Sequence, residues 1–218
     1  MHCIITAGPT YEPLDEVRRL TNFSTGKLGT ELANYLASQG HQATLLIGRQ
    51  ATWRGERRAQ TVIEFSTTRD LRERLQRLAS ASVNALFHAA AVSDFGFGKI
   101  WRRSAAGELI ELQAGKISSR LGGLLAELVP TPKIILELRD WFPQACLVGW
   151  KYEVDGGPAD AMAKAEEQIQ ASRTNACVVN GPAYGLGFGV VTAPGHCLRV
   201  ETQAALFETL ERLASAPR

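Results

Sequence analysis

Long apolar runs are missing from this chain. The longest, Ala85 to Val92, is about half what a membrane-spanning helix needs. The first residues carry no basic-then-apolar leader pattern, so a soluble, cytoplasmic protein with no membrane partner is expected. Cysteine is scarce: Cys3, Cys146, Cys177 and Cys197 are far apart and form no C-x-x-C pair. Three of them fall in apolar runs. Buried thiols in a reducing compartment are therefore expected rather than a disulfide framework or a metal site. An excess of one charge is also missing. Lys and Arg number 24 against 22 Asp and Glu, a net charge of +2, which gives no argument for a nucleic-acid partner. Arg54, Arg57 and Arg58, like Arg102 and Arg103, read as solvated loop residues. There is no internal repeat, low-complexity tract or linker, so residues 1–218 are expected to form one domain.

What is present is an alternation of short apolar runs and amphipathic helices. Cys3–Thr6 is apolar and stopped by Gly8-Pro9, as a central strand would be. A helix is expected from about Gly26 to Gln39, capped by Ser24 or Thr25, with Leu28, Leu32, Tyr35 and Leu36 on its apolar face and Gly40 at its end. Further strands are expected at 43–47, 61–65, 84–91, 124–129, 146–150 and 176–180. Helices are expected after Thr67 or Thr68, from Pro132 through Arg139, over 159–172 and over 204–213. A hairpin is expected around Pro194-Gly195. Residues 96–120 hold glycines, cationic residues and one strand-like run, Leu109–Leu112, and read as a mobile flap. The order predicts an α/β fold: a Rossmann-like, doubly wound, mainly parallel sheet with an antiparallel hairpin addition and the flap.

Ligands of such sheets bind at the carboxyl ends of the strands. Here those ends are polar while the strands are apolar. The first strand leads into a loop reaching to Gly29, roughly three times the usual length. Its end, Ser24-Thr25-Gly26, opens a helix, where unpaired N–H groups and the helix dipole favour an anion such as phosphate. A helix cap made of small residues explains the same pattern. It is not a P-loop, because Thr21 stands where the first glycine belongs and Leu28 follows Lys27. Nor is it the usual dinucleotide fingerprint, since 17 residues separate Gly8 from Gly26. Asp94 could hold a ribose hydroxyl, a base amino group or a Mg²⁺ shell, or could be a turn residue. Lys116 could neutralise phosphate charge, or be a solvated lysine.

Taken together, the segments ITAGPTYEPLDEVR, TNFSTGKLG, HAAAVSDF, GKISS, VPTPKII, VGWKYEVD and ACVVNG resemble the phosphopantothenoylcysteine synthetase family, in order along essentially the whole chain. The resemblance implies a ligase of coenzyme A biosynthesis that joins 4′-phosphopantothenate to L-cysteine through an acyl-nucleotidylate. It implies catalytic roles for Asn22 and Lys116. It places nucleotide contacts on Ala89, Ala90, Ala91 and Asp94, on Pro132, Lys133, Ile134 and Ile135, and on Trp150. Substrate or phosphate contacts fall on Gly8, Ser24, Thr25 and Gly26. Mg²⁺ would ride on the triphosphate, and no protein metal ligands are expected. CTP-using members carry two lysines where Gln168 and Ser172 stand here, which leans the expectation toward ATP and leaves CTP open. Tyr11 replaces a common arginine. The flavin-dependent decarboxylase fused to many bacterial members is not in this sequence. A stand-alone synthetase without FMN, a separate decarboxylase as pathway neighbour, and a homodimer are expected by the same analogy.

Two other classes fit the same sheet. An NAD(P)-dependent oxidoreductase would want a short glycine-rich first turn and an acid after the second strand, where Gly48-Arg49 stands. A non-catalytic nucleotide-binding module would leave Asn22 and Lys116 unexplained.

Overall fold

A computed structural model describes residues 1–79, 81–112, 115–118 and 123–216. Eight strands form the central sheet: β1 (His2–Ala7), β4 (Gln42–Gly48), β5 (Thr61–Phe65), β6 (Ala85–His88), β10 (Cys146–Tyr152), β11 (Ala176–Gly181), β12 (Gly185–Ala193) and β13 (His196–Val200). Their spatial order is β13-β12-β11-β10-β6-β1-β4-β5. The six strands from β5 to β11 are parallel; β12 and β13 run antiparallel to their neighbours. The chain builds outward from β1 to β5, then returns to β6 on β1's other side. That reversal opens a crevice at the carboxyl ends of β1 and β6.

Both faces of the parallel strands are covered, as their near-continuous apolar runs require. Side chains alternate between faces along each strand. Cys3, Ile5, Leu45 and Phe87 pack with α1 (Lys27–Ser38) and α5 (Gln203–Ser215). Ile4, Leu46, Leu86 and Leu147 pack with α2 (Thr68–Leu78) and α3 (Ile134–Trp141). Helix α4 (Pro158–Ser172) covers Cys177 and Val179. All four cysteines are thiols outside any disulfide; three are buried and Cys197 is partly exposed. Thr67 caps α2, its hydroxyl accepting from the Asp70 N–H at 3.1 Å.

Four expectations change. The cap of α1 is neither Ser24 nor Thr25 but Gly26, in the left-handed region at φ 75°; Thr25 Oγ1 instead accepts from the Lys27 N–H at 3.2 Å. Helix α3 starts at Ile134, so Pro132 precedes it rather than sitting in its first turn. Strand β6 ends at His88; Ala89 and Ala90 lie outside it, and Ala91 forms an isolated parallel bridge with Pro9. Between Phe95 and Pro130 lies a separate antiparallel sheet of order β8-β7-β9, with β7 (Phe95–Arg103), β8 (Leu109–Glu111) and β9 (Leu124–Pro130). The nine-residue β7 stands where glycines at 96 and 98 hide the strand pattern. Of the expected flap, residues 113, 114, 119 and 120 lie outside the described residues.

Candidate active site

The long loop after β1 is a hairpin, β2 (Tyr11–Pro13) paired with β3 (Arg19–Thr21). It leaves the sheet at Gly8 and rejoins it at Gly26, both at positive φ. A Cβ on Gly26 would meet Ile47 Cδ1 at 2.9 Å and Gly8 Cα at 3.3 Å. A Cβ on Gly29 would meet Ala7 Cβ at 2.7 Å. Gly8, Gly26 and Gly29 thus do the three jobs of a dinucleotide turn: tight exit, close backbone approach, and close helix–strand packing. The hairpin is an insertion between the first two.

The hairpin is anchored at both ends. At its root, the carbonyl of Ala91 accepts from the Thr10 N–H and from Asn22 Nδ2, both at 3.1 Å, while the Ala91 N–H donates to the Gly8 carbonyl at 3.0 Å. The buried Thr10 hydroxyl donates to Ser93 Oγ at 3.0 Å and accepts from the Ser93 N–H at 2.8 Å. Asn22 is exposed; its backbone carbonyl accepts from the Ser24 N–H at 2.9 Å, and its side-chain Oδ1 has no protein donor among the described residues. At the tip, Asp15 and Arg18 form an ion pair and together hold residue 117. The Ile117 N–H donates to Asp15 Oδ2 at 3.1 Å, and Arg18 Nη2 donates to the Ile117 carbonyl at 2.6 Å. The Glu16 N–H donates to the Gly115 carbonyl at 2.9 Å. Lys116 is therefore flanked by two backbone tethers, with its own side chain exposed. The Arg18 guanidinium, helped by the backbone N–H groups of Ile117, Val17 and Arg18, holds the Asp15 carboxyl well below the usual carboxylate range.

A cleft of about 430 Å³ opens at the ends of β6 and β10. Ala90, Asp94, Pro132, Lys133, Ile134, Ile135 and Trp150 line it, seven of the nine residues expected to touch nucleotide. Ala89 and Ala91 lie beside it in the backbone that joins the cleft to the hairpin root. Asp94 and Lys133 are paired with each other. Thr131 fixes the bend between them, donating from its hydroxyl to the Ser93 carbonyl and from its N–H to the Asp94 carbonyl. The structure thus separates the expected residues into a cleft group and a turn group, Gly8, Ser24, Thr25 and Gly26. Ala91 connects the two.

Several further residues line the cleft beyond those expected to touch nucleotide. Lys151 and Lys164 join Lys133 at the rim, with the carboxylates Asp94 and Glu167; Lys133 is held by Asp94 and Lys164 by Glu153. Of the two α4 positions compared with lysines, Gln168 lines the cleft; Ser172 is buried and bonded to the Gln168 carbonyl instead. Lys164, one turn earlier, supplies a cation there and pairs with Glu153. Gly149 makes room for the Gln168 amide, since a Cβ there would lie 2.2 Å from Gln168 Nε2. His88, on the cleft floor, is also new: it ends an apolar run and looks like core in sequence. Arg49, which follows β4, pairs with Glu64 at 3.7 Å. Among the described residues no group of three His, Cys, Asp or Glu side chains is placed to hold a metal ion. No described helix is long and apolar enough to cross a membrane.

The family model for the C-terminal domain of DNA/pantothenate metabolism flavoproteins matches residues 1–217. The chain is 29% identical over 221 residues to the coenzyme A biosynthesis bifunctional protein CoaBC of Bacillus subtilis, covering 98% of this chain and 51% of that one. It is 29% identical over 178 residues to the CoaBC of Thermococcus kodakarensis, covering 81% of this chain and 40% of that one. The chain spans about half the length of these curated relatives. Among solved structures, the DNA/pantothenate metabolism flavoprotein of Streptococcus pneumoniae superposes with a TM-score of 0.81 at 25% identity, with 97% of each chain covered.

Proposed function

Because this chain belongs to the family of DNA/pantothenate metabolism flavoprotein C-terminal domains, we propose that it is a phosphopantothenate–cysteine ligase acting in coenzyme A biosynthesis. One observation carries the reading. A single hairpin holds Asn22 against the turn after β6 and, at its other end, grips the backbone on both sides of Lys116. An oxidoreductase turn has no use for such an insertion, and a passive nucleotide-binding module has no use for a tethered lysine.

The reaction follows from what these groups can do. In the first step a carboxylate oxygen of 4′-phosphopantothenate attacks the α-phosphorus of a nucleoside triphosphate. The bond from that phosphorus to the bridging oxygen breaks, and pyrophosphate leaves. Lys116 supplies a fixed cation where charge builds on the departing phosphates. The N-terminus of α1 and the backbone at Gly26 offer N–H groups to a phosphate. In the second step the amine of cysteine attacks the acyl carbon, the carbon–oxygen bond to the nucleotide breaks, and the amine gives up a proton. The Asn22 amide can stay bonded to the acyl group throughout without adding charge. The base occupies the apolar cleft floor beside Trp150, and the lysine rim faces its phosphates. ATP is the favoured triphosphate, with CTP open; Mg²⁺ would enter with the triphosphate and offset its charge, with no protein ligand assigned to it.

The same reading makes the protein a homodimer, by analogy with the family. It makes decarboxylation of the product the next step and the cytoplasm the compartment. The test is direct: purified protein, Mg²⁺, phosphopantothenate and cysteine should form the amide and release pyrophosphate with ATP or CTP. No amide with either triphosphate would overturn the assignment.

A further inference from the structure

We propose that His88 is a fixed, neutral hydrogen-bond donor at the floor of the cleft that reads an acceptor atom of the nucleobase. The inference deepens the proposed function and rests on it for the identity of the ligand as a nucleotide.

The argument begins with Thr6. Its hydroxyl is fully buried between β1 and β6 and has one proton to give. The oxygen accepts from the Ala90 N–H at 3.2 Å and lies 2.9 Å from His88 Nδ1. Among the described residues, His88 Nδ1 is the acceptor within reach of the hydroxyl proton. A buried hydroxyl donates where it can, so Nδ1 accepts and the ring proton resides on Nε2. The tautomer is set by a neighbouring strand rather than by solvent.

Nε2–H then faces the cleft. His88 shares a face of β6 with Leu86, two residues earlier, and that is the face that packs with α3. Its side chain is nine-tenths buried and lines the cleft. Beside it β10 carries Gly149, on the same face as Leu147, and the Gln168 amide fills the space that a side chain there would take. Nε2 has no protein partner among the described residues. Nor is it sealed in the core, since the buried side-chain atoms left without a partner there are Thr174 Oγ1 and Asn180 Oδ1. The imidazole therefore presents one donor, uncharged and at a fixed angle, to whatever enters.

The chemistry of the floor selects the ligand group. Around it are Ile134, Ile135, Val92 and Trp150, a slot for a flat, weakly polar ring; the charged groups stand at the rim. Burial pushes the pKa of the imidazole down to about 4, so it enters neutral conditions uncharged and gives no Coulombic preference for phosphate. A neutral donor in an apolar slot suits a ring nitrogen or carbonyl of a base. Thr6 acts through His88 and is a positioning residue.

The experiment reads binding without turnover. Nitrogen-15 NMR of the imidazole in the wild-type protein should show the proton on Nε2. That signal should shift when ATP or CTP is added with Mg²⁺. His88→Ala should weaken nucleotide binding roughly three- to tenfold, and His88→Gln, which can place an amide N–H near the same point, should recover most of it. ATP analogues with one ring nitrogen replaced by C–H complete the test. One analogue should bind wild type worse than ATP yet bind His88→Ala as well as ATP. A proton on Nδ1, an Nε2 signal indifferent to nucleotide, or equal analogue penalties in both proteins would overturn the proposal. Nucleotide binding through His88 without any amide formation would instead overturn the ligase reading alone.

Discussion

Gly8 and Gly26 are neighbours in space, although 17 residues lie between them in sequence; a Cβ on Gly26 would come within 3.3 Å of the Cα of Gly8. The contact makes the turn intolerant of side chains. Gly26→Ala combines a left-handed φ of 75° with an approach of 2.9 Å to Ile47 Cδ1. It should cost about 2 kcal/mol of stability and raise the KM for the triphosphate. Urea unfolding and initial-rate kinetics check both. A variant as stable as wild type would mean the turn relaxes freely.

Asn22→Asp exchanges a neutral amide for a carboxylate at the hairpin root. The side chain is exposed and makes one hydrogen bond, to the Ala91 carbonyl, so stability should change by less than about 1 kcal/mol. Amide formation should fall by roughly a hundredfold or more. Melting curves and product formation measured on the same preparation separate the two effects. Wild-type rates would remove Asn22 from the site.

Asp15→Ala should loosen the segment around Lys116 without unfolding the sheet. The Ile117 N–H, which donates to Asp15, should lose protection from hydrogen exchange, and activity should fall with it. The pH behaviour follows from the sign of the shift. A carboxyl held below its ordinary value contributes stability above the unfolded pKa and loses it only as pH falls through the folded one. Protection at Ile117 should therefore be flat from about pH 7 to about pH 5. A drop inside that window would show that the ion pair with Arg18 is not what holds the segment.

His88 gives the opposite kind of signature. Its pKa is lowered from 6.5 to about 4 by burial, so the unfolded chain binds a proton more readily. Stability is complete above about pH 6.5 and should drain away toward pH 4, by about 3 kcal/mol in total. Urea midpoints at neutral and mildly acidic pH measure it, and His88→Gln should flatten the difference. An unchanged slope in that variant would assign the pH dependence to other groups.

The central sheet is legible in sequence because its strands are apolar runs ended by glycine, proline or a polar cap. Strands β2 and β3 are not, since three residues such as Tyr11-Glu12-Pro13 carry no periodicity. Nor is β7, where Gly96 and Gly98 interrupt the alternation. The site divides in the same way. Asp94, Trp150 and Lys151 stand out as polar or aromatic residues at the ends of apolar strands. His88 does not, because its role depends on Thr6, 82 residues away. The glycine turn is hidden for a similar reason: sequence spacing measures the hairpin, whereas the two glycines in contact measure the gap that the hairpin spans.

That arrangement makes the hairpin a cassette. It departs and returns through a doorway already closed by Gly8 and Gly26, so its length adds little to the entropy of assembling the sheet. Joining the chain across that doorway without residues 9–25 would leave a short glycine turn leading straight into α1. The sheet with its cleft and the hairpin are therefore separable pieces of one sequence. Residues within the cassette can vary with the reaction while the sheet beneath keeps its stability.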